Sequence, residues 1–210
     1  MRTPLFVTFT GADDRTSLTR MDAIARAFPV EWALLQSPSD RDARFPSLQA
    51  RDEMLAVAGR KALHLCGGFA KTAAALRVDP SLPLDKVERI QLNGRIPNRD
   101  LLPRLAADFN VDVILQTRGD AFPQDDRCHF LFDASGGRGR IAEVFPPLPS
   151  GPKPFGFAGG FGPDTVRDLL TRIDGESDGV FWIDMEGRVR DERGWFDLDK
   201  VERVCEIVFG

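Results

Sequence analysis

Eight short runs of β-branched, aliphatic and aromatic residues recur along the whole chain, and their number constrains the fold more than any other feature. These runs are residues 5–10, 32–36, 62–66, 89–93, 111–116, 129–133, 154–158 and 179–184. Between several of them, apolar residues recur three and four positions apart, which is typical of amphipathic helices. The helical segments are 17–28, 47–58, 99–109, 164–173 and 197–209. This alternation predicts an α/β protein whose parallel strands are joined by crossover connections.

Eight strand-and-helix units in one chain predict a closed (β/α)8 TIM barrel that forms a single domain over residues 1–210. Such barrels usually need about 250 residues, so a chain of 210 must shorten some connections. Residues 117–127 are too few and too turn-rich for a full helix, and the four prolines within 143–153 disfavour one. We therefore expect shortened or missing helices after strands five and six. The alternative is an open doubly wound sheet, which usually has five or six strands.

The charge and the hydropathy pattern argue against several classes of partner. The chain has 28 Lys and Arg against 32 Asp and Glu, a formal charge of -4, which argues against a nucleic-acid-binding surface. No apolar run approaches the roughly 18 residues that a membrane span needs, and the segment MRTPLFVTFT lacks the features of a signal peptide. We therefore expect a cytoplasmic protein with no membrane partner.

The cysteines and histidines do not indicate a metal site. Cys66, Cys128 and Cys205 are widely spaced, odd in number and without a CxxC pair, so we expect reduced thiols. Only His64 and His129 could join them, and no group has the spacing of zinc ligands. We expect no bound metal.

Polar residues lie at the ends of seven predicted strands, on the side that alternation turns towards the barrel centre. The residues assigned to this inward side are Thr8, Thr10, Gln36, His64, Cys66, Gln91, Asn93, Gln116, Asp133 and Asp184. Barrel enzymes carry their active sites at the carboxyl ends of the strands. Asp133, directly before SGGRG, is the strongest candidate for an acid or base. The alternative is that polar residues simply mark where the core meets water.

Glycine pairs follow the sixth and seventh predicted strands. Gly136 and Gly137 follow the sixth, and Gly159 and Gly160 follow the seventh just before a helix. Backbone N–H groups in such segments can approach an anion, and this barrel class often binds phosphate in this region. The alternative is that they form tight turns that need positive φ. We favour a phosphate site.

Two further residues have two interpretations each, and a third has one. Arg44, on the loop after the second predicted strand, can clamp a carboxylate or be a solvated surface charge. Cys66 can act as a nucleophile or base if its thiol is activated, or be an inert core residue. His129 lies four residues before Asp133, which places it near the barrel floor, where a structural role is expected.

Several segments, taken in order, resemble the phosphoribosylanthranilate isomerases of tryptophan biosynthesis. The matching segments are ARFPS (43–47) against the family's PRYVS, QLNG (91–94) against QLHG, LFDASGGRG (131–139) against LLDxxxGGTG, FAGGFGPDTV (157–166) against LAGGLxPENV, and GWFDLDKV (194–201) against GxKDxxKI. The similarity runs nearly from end to end but is uneven.

The resemblance implies an Amadori rearrangement of a phosphorylated aminoaldose to an aminoketose, with no cofactor. It implies that Asp133 is the acid that opens the ribose ring and that Arg44 holds the anthranilate carboxylate. The substrate-binding residues inferred from their positions and the resemblance are Arg44, Gln91, Asn93, Gly136, Gly137, Gly159, Gly160 and Gly187. The expected partner is a small phosphorylated molecule, and the expected assembly is a monomer or homodimer.

The sequence departs from the family at three positions of the site. VTFTG (7–11) stands where the family has KICG, so Thr10 occupies the place of the cysteine base, and Asn93 replaces a histidine. IDMEG (183–187) stands in place of DVSSG, and Glu186 there repels a phosphate that serines favour.

Two hypotheses follow from these departures. A threonine hydroxyl cannot act as a base near neutral pH without a helper, so an isomerase needs a substitute, for which Cys66 and Asp13 are candidates. Thr10 and Cys66 therefore join Asp133 as the candidate catalytic residues. The alternative is a noncatalytic barrel that keeps a binding cleft and has lost proton abstraction.

Overall fold

The computed structural model describes residues 2–39, 42–134, 139–173 and 177–210, and its strands close into a barrel. All eight predicted strands form, and each pairs in parallel with its sequence neighbour while the first pairs with the last. The strands are β1 (Val7–Thr10), β2 (Val30–Gln36), β3 (Arg60–Leu65), β4 (Arg89–Leu92), β5 (Asp112–Thr117), β6 (His129–Phe132), β7 (Phe155–Ala158) and β8 (Phe181–Met185). The predicted (β/α)8 barrel is confirmed, and the open sheet is excluded because β1 and β8 are paired.

The helices lie between the strands on the outside of this barrel. They are α1 (Leu18–Ala27), α2 (Leu48–Leu55), α3 (Gly68–Ala74), α4 (Leu102–Phe109), α5 (Val166–Thr171) and α6 (Leu198–Phe209). Five coincide with the predicted helical segments. The exception is α3, whose buried face consists of the small residues Ala70 and Ala73 and therefore gives a weak periodic signal. Among the described residues, no helix combines the length and the apolar character that crossing a membrane requires.

The longest helix, α6, shows how local sequence determines these elements. Asp197 caps its start, because the Asp197 side chain accepts hydrogen bonds from the backbone N–H groups of Asp199 and Lys200. Val201, Val204, Cys205 and Val208 follow at helical spacing and are buried. The helix therefore presents one apolar face to the barrel.

The helices expected to be missing after β5 and β6 are absent from the described parts of those connections, residues 118–128 and 139–154. Aromatic side chains cover the outer face of the sheet there. The Phe122 ring centroid lies 4.6 Å from that of Phe155, and the Phe145 ring centroid lies 5.4 Å from that of Phe157. Because a buried aromatic ring covers a large apolar area, two irregular segments can shield strands that helices usually shield.

The lower part of the barrel interior is filled. Phe6, Ile114, Leu131, Ala158 and Trp182 form a separate apolar cluster there. A Cβ atom added to Gly156 on β7 would lie 2.4 Å from the Trp182 ring, so this position needs glycine to accommodate the indole. The cavity at the carboxyl ends of the strands therefore lies above this apolar cluster.

A buried ion pair completes this filling at the amino end. Glu31 on β2 and Arg89 on β4 are buried, and Arg89 Nε lies 2.8 Å from Glu31 Oε2. Thr8 donates its hydroxyl to Glu31 Oε1 at 2.9 Å, and the Arg89 guanidinium lies 4.2 Å from the Trp182 ring centroid. The charge of Glu31 is thus neutralised within the barrel.

Candidate functional site

A cavity of about 270 Å³ opens at the carboxyl ends of the strands. Most of the inward polar residues predicted from strand alternation line it together. The strand-end residues that line it are Thr10, His64, Gln91, Asn93, Gln116, Asp133 and Asp184. Arg44, Glu186 and Gly187 line it from the loops that follow β2 and β8. The cavity therefore has the location that enzymes of this barrel class use.

Asp133 follows the last residue of β6 and forms part of the cavity wall. Its backbone N–H donates to the carbonyl of Thr117 at 2.9 Å, which extends the sheet pairing by one residue. Gln116 Nε2 donates to Asp133 Oδ2 at 3.4 Å. The Asp133 side chain is thus held at the cavity by β5 and β6, where it can exchange a proton with a ligand.

Thr10, Asp184 and His64 meet on the opposite side of the barrel from β5. Thr10 donates its hydroxyl to Asp184 Oδ1 at 2.7 Å, and His64 Nε2 lies 3.9 Å from Asp184 Oδ2. Burial raises the pKa of Asp184 to about 7 and lowers the pKa of His64 to about 3. At neutral pH the imidazole is therefore uncharged and the carboxyl group is partly ionised. Asp184 and His64 were placed inward by strand alternation, but the sequence offered no reason to assign them a role.

Arg44 lies at the mouth of the cavity and pairs there with two carboxylate side chains of the protein. Arg44 Nε lies 2.9 Å from Asp42 Oδ1, and Arg44 Nη1 lies 3.2 Å from Glu186 Oε1. These contacts raise the pKa of Arg44, chiefly through Asp42, while burial raises the pKa of Glu186. A ligand carboxylate must therefore displace Glu186 or share Arg44 with it.

The glycines predicted to bind phosphate differ in whether turn geometry and packing explain them. Gly159 and Gly160 line the cavity with φ of 97° and 80°, and a Cβ on Gly160 would meet Ile141 at 2.4 Å. Turn geometry and close packing alone therefore account for Gly160. Gly187 also lines the cavity, yet an added Cβ would meet nothing within 4 Å, so packing does not explain this glycine. The predicted Gly136 and Gly137 lie outside the described residues.

Neither candidate substitute base is among the described residues that line the cavity. Cys66 Sγ accepts a hydrogen bond from Asn93 Nδ2 at 3.2 Å, and Asn93 Oδ1 accepts one from Gln91 Nε2 at 2.7 Å. Asp13 is buried and accepts a hydrogen bond from the backbone N–H of Phe196 at 2.7 Å. The structure thus places Asp13 as an anchor between the loop after β1 and the segment before α6.

Strand alternation predicted the position of Gln36 wrongly, and the position of His129 is as predicted. Gln36 was expected to face inward, but its Oε1 accepts a hydrogen bond from Arg51 on α2 at 3.3 Å, and Leu35 lines the cavity instead. The expectation was wrong by one position because β2 extends from Val30 and its inward residues are odd-numbered. His129 lies at the start of β6 near the barrel floor, as predicted, with Nε2 3.7 Å from Asp112 Oδ1.

Comparisons with known proteins show similarity in fold. No protein-family model matches the chain, and no curated protein matches it significantly. Phosphoribosyl anthranilate isomerase from Thermus thermophilus has a TM-score of 0.61 and 16% identity, with 96% of each chain covered. TrpF from Jonesia denitrificans has a TM-score of 0.67 and 18% identity, with 97% of this chain and 96% of that chain covered.

A third structural match comes from a different enzyme. A truncated form of 3-deoxy-D-arabino-heptulosonate 7-phosphate synthase from Thermotoga maritima has a TM-score of 0.53 and 12% identity, with 98% of this chain and 84% of that chain covered. At such identities the similarity concerns the fold alone, because one barrel fold carries many activities. The chain is a (β/α)8 barrel with the fold of the phosphoribosylanthranilate isomerases.

Proposed function

We propose that the protein is a cofactor-independent isomerase that converts a phosphorylated aminoaldose to an aminoketose, with phosphoribosylanthranilate or a closely related compound as substrate. The observation that carries this proposal is the convergence of Asp133, Asp184 and Arg44 on one small cavity at the carboxyl ends of the strands. Two carboxyl groups in different surroundings can divide acid and base roles between them. Arg44 at the mouth can hold a carboxylate with its planar fork.

The charge at the mouth supports an anionic substrate only in part. Arg44, Arg188 and Arg190 line the cavity, and Glu186 places a carboxylate beside them. Gly187 leaves open space next to its backbone, where an anion can approach without a side chain in the way. The proposed phosphate position is between the loops that follow β7 and β8, which contribute Gly159, Gly160 and Gly187 to the cavity lining.

The direct test is to incubate the purified protein with phosphoribosylanthranilate and to follow formation of the aminoketose. Turnover above the uncatalysed rate supports the proposal if inorganic phosphate inhibits it competitively with the substrate. If turnover is absent while a reduced, non-isomerisable product analogue binds, the protein is instead a noncatalytic barrel with a retained cleft. If neither turnover nor binding is found, the site does not accept this class of substrate.

Arg44→Ala is expected to weaken binding of anthranilate or of the product analogue by about 10- to 150-fold, corresponding to roughly 1.5 to 3 kcal/mol for a charged hydrogen bond. Glu186→Gln is expected to have the opposite effect, up to about five-fold tighter, because it removes a competing carboxylate from Arg44 Nη1. Isothermal titration calorimetry measures both. Arg104→Ala is the matched control, since Arg104 pairs with Asp108 on the exposed face of α4. Unchanged affinity in Arg44→Ala would show that Arg44 is only a surface charge.

A further inference from the structure

Asp184 is a carboxyl group inside the barrel, and no lysine or arginine in the described part of the chain lies within 4 Å of its oxygen atoms. It is buried at the end of β8 and lines the cavity. Among the described residues, the nearest basic group is His64 Nε2 at 3.9 Å, and the imidazole is uncharged at neutral pH because burial lowers its pKa to about 3. Thr10 donates to Oδ1, and no donor within the described part of the chain reaches Oδ2. Oδ2 can therefore accept a proton from a ligand.

The contrast with Glu31 indicates that this arrangement is not a structural requirement of the barrel. Glu31 is also a carboxylate inside the barrel, but Arg89 neutralises it and Thr8 donates to it. A buried charge with a structural role is usually paired and hydrogen-bonded in this way. Asp184 lines open space and has no described lysine or arginine within 4 Å, so burial disfavours its ionised form. A group in this state is well suited to transfer protons.

We propose that Asp184 is the base of the isomerisation, that it accepts the proton from C2′ of the substrate, and that Thr10 positions its carboxylate. This inference rests on the proposed function, because an aldose-to-ketose conversion must move hydrogen from C2′ to C1′. It also accounts for Thr10, whose hydroxyl orients the neighbouring carboxylate through Oδ1.

The steps balance with two carboxyl groups. Asp133 in its acid form protonates the ring oxygen, the C1′–O bond breaks, and the nitrogen lone pair forms the C1′=N iminium. Asp184 as carboxylate takes the C2′ proton, the C2′–H electron pair forms C1′=C2′, and the iminium pair returns to nitrogen. Asp184 then gives its proton to C1′ while the enol hydroxyl at C2′ returns a proton to Asp133. Both groups end in their starting forms.

The surroundings of Asp184 match this role at neutral pH. Burial is the main cause of its raised pKa, and the charges of Glu186 and Glu31 raise the pKa further. The Thr10 hydroxyl and the charge of Arg89 act in the opposite direction, and the resulting pKa is about 7. A base must be ionised to act, so we expect kcat/KM to rise with pH through a limb near pH 7.

The test compares Asp184→Asn with the wild type and with Asp108→Asn, a matched change on exposed α4. We expect Asp184→Asn to lower kcat about 10²- to 10⁴-fold, to remove the limb near pH 7, and to leave analogue binding within about three-fold. With substrate that carries deuterium at C2′, part of the label should appear at C1′ of the wild-type product, because Asp184 returns the proton that it has removed, and residual product of the variant should carry solvent hydrogen there. Asp108→Asn should match the wild type.

Folding of the variant is checked at pH 8. Because burial raises the pKa of Asp184 from 3.8 to about 7, the folded protein disfavours the charge, and stability attributable to this group is lost as pH rises between these values. The neutral amide should therefore not lower Tm at pH 8. If the variant fails to fold, Thr10→Val decides, because loss of the hydrogen bond to Asp184 Oδ1 should move the pH limb of the otherwise active enzyme to higher pH, and an unshifted limb overturns the assignment.

The outcomes separate this inference from the proposed function. Wild-type turnover that persists in Asp184→Asn with the same pH limb overturns the role of Asp184 and leaves the isomerase proposal standing. Absence of turnover in the wild type overturns the isomerase proposal itself, and the inference with it.

Discussion

Asp133→Asn is expected to lower kcat/KM for the isomerisation by about 10²- to 10⁴-fold, the usual contribution of a general acid. Asparagine preserves the size of the side chain and can still accept a hydrogen bond from Gln116, but it has no proton to give to the ring oxygen. Because Asp133 lies at the end of β6 and is 3% exposed, bulk water cannot readily replace it as a proton donor. Steady-state kinetics on phosphoribosylanthranilate measure the effect.

The matched control is Asp126→Asn, which removes a carboxylate from the same β5-to-β6 connection. The Asp126 side chain is fully exposed and pairs with Lys153 at 3.4 Å, outside the cavity, so kcat/KM should not change. Analogue binding should be retained in both variants. Turnover in Asp133→Asn at the wild-type rate would contradict the assignment of the acid and require a different route for ring opening.

Glu31→Ala is expected to destabilise the protein by about 3 to 5 kcal/mol, because it leaves the Arg89 guanidinium unpaired inside the barrel. Arg89 is 3% exposed and packs over Trp182, so it cannot easily move to water. For a chain of this size the change corresponds to a fall in Tm of about 6 to 20 °C. Urea denaturation followed by tryptophan fluorescence measures the free energy of unfolding.

Two further variants test the physical reason for that loss. Asp108→Ala breaks an exposed ion pair on α4 and should change the free energy of unfolding by no more than about 0.5 kcal/mol. Glu31→Met combined with Arg89→Met removes both charges and should be less destabilising than Glu31→Ala alone. If the double variant is the less stable of the two, the ion pair itself stabilises the barrel floor. The loss in Glu31→Ala is then not explained by the unpaired Arg89 charge.

The sequence alone was sufficient to predict the barrel and its missing helices. Strand and helix periodicities are local properties, so eight short apolar runs located all eight strands to within a few residues. The four prolines within 143–153 exclude a helix for an equally local reason. Strand alternation also placed Thr10, Gln91 and Asp133 at the cavity, since side chains two positions apart share a face.

Only the tertiary structure decided which of these residues act together. Thr10 and Asp184 are 174 positions apart, and they meet because closure of the barrel pairs β1 with β8. Arg44 meets Glu186 across two loops whose paths no periodicity describes. Local pattern specifies the face of a strand on which a side chain lies, whereas strand register and loop conformation determine its neighbours and therefore its charge state.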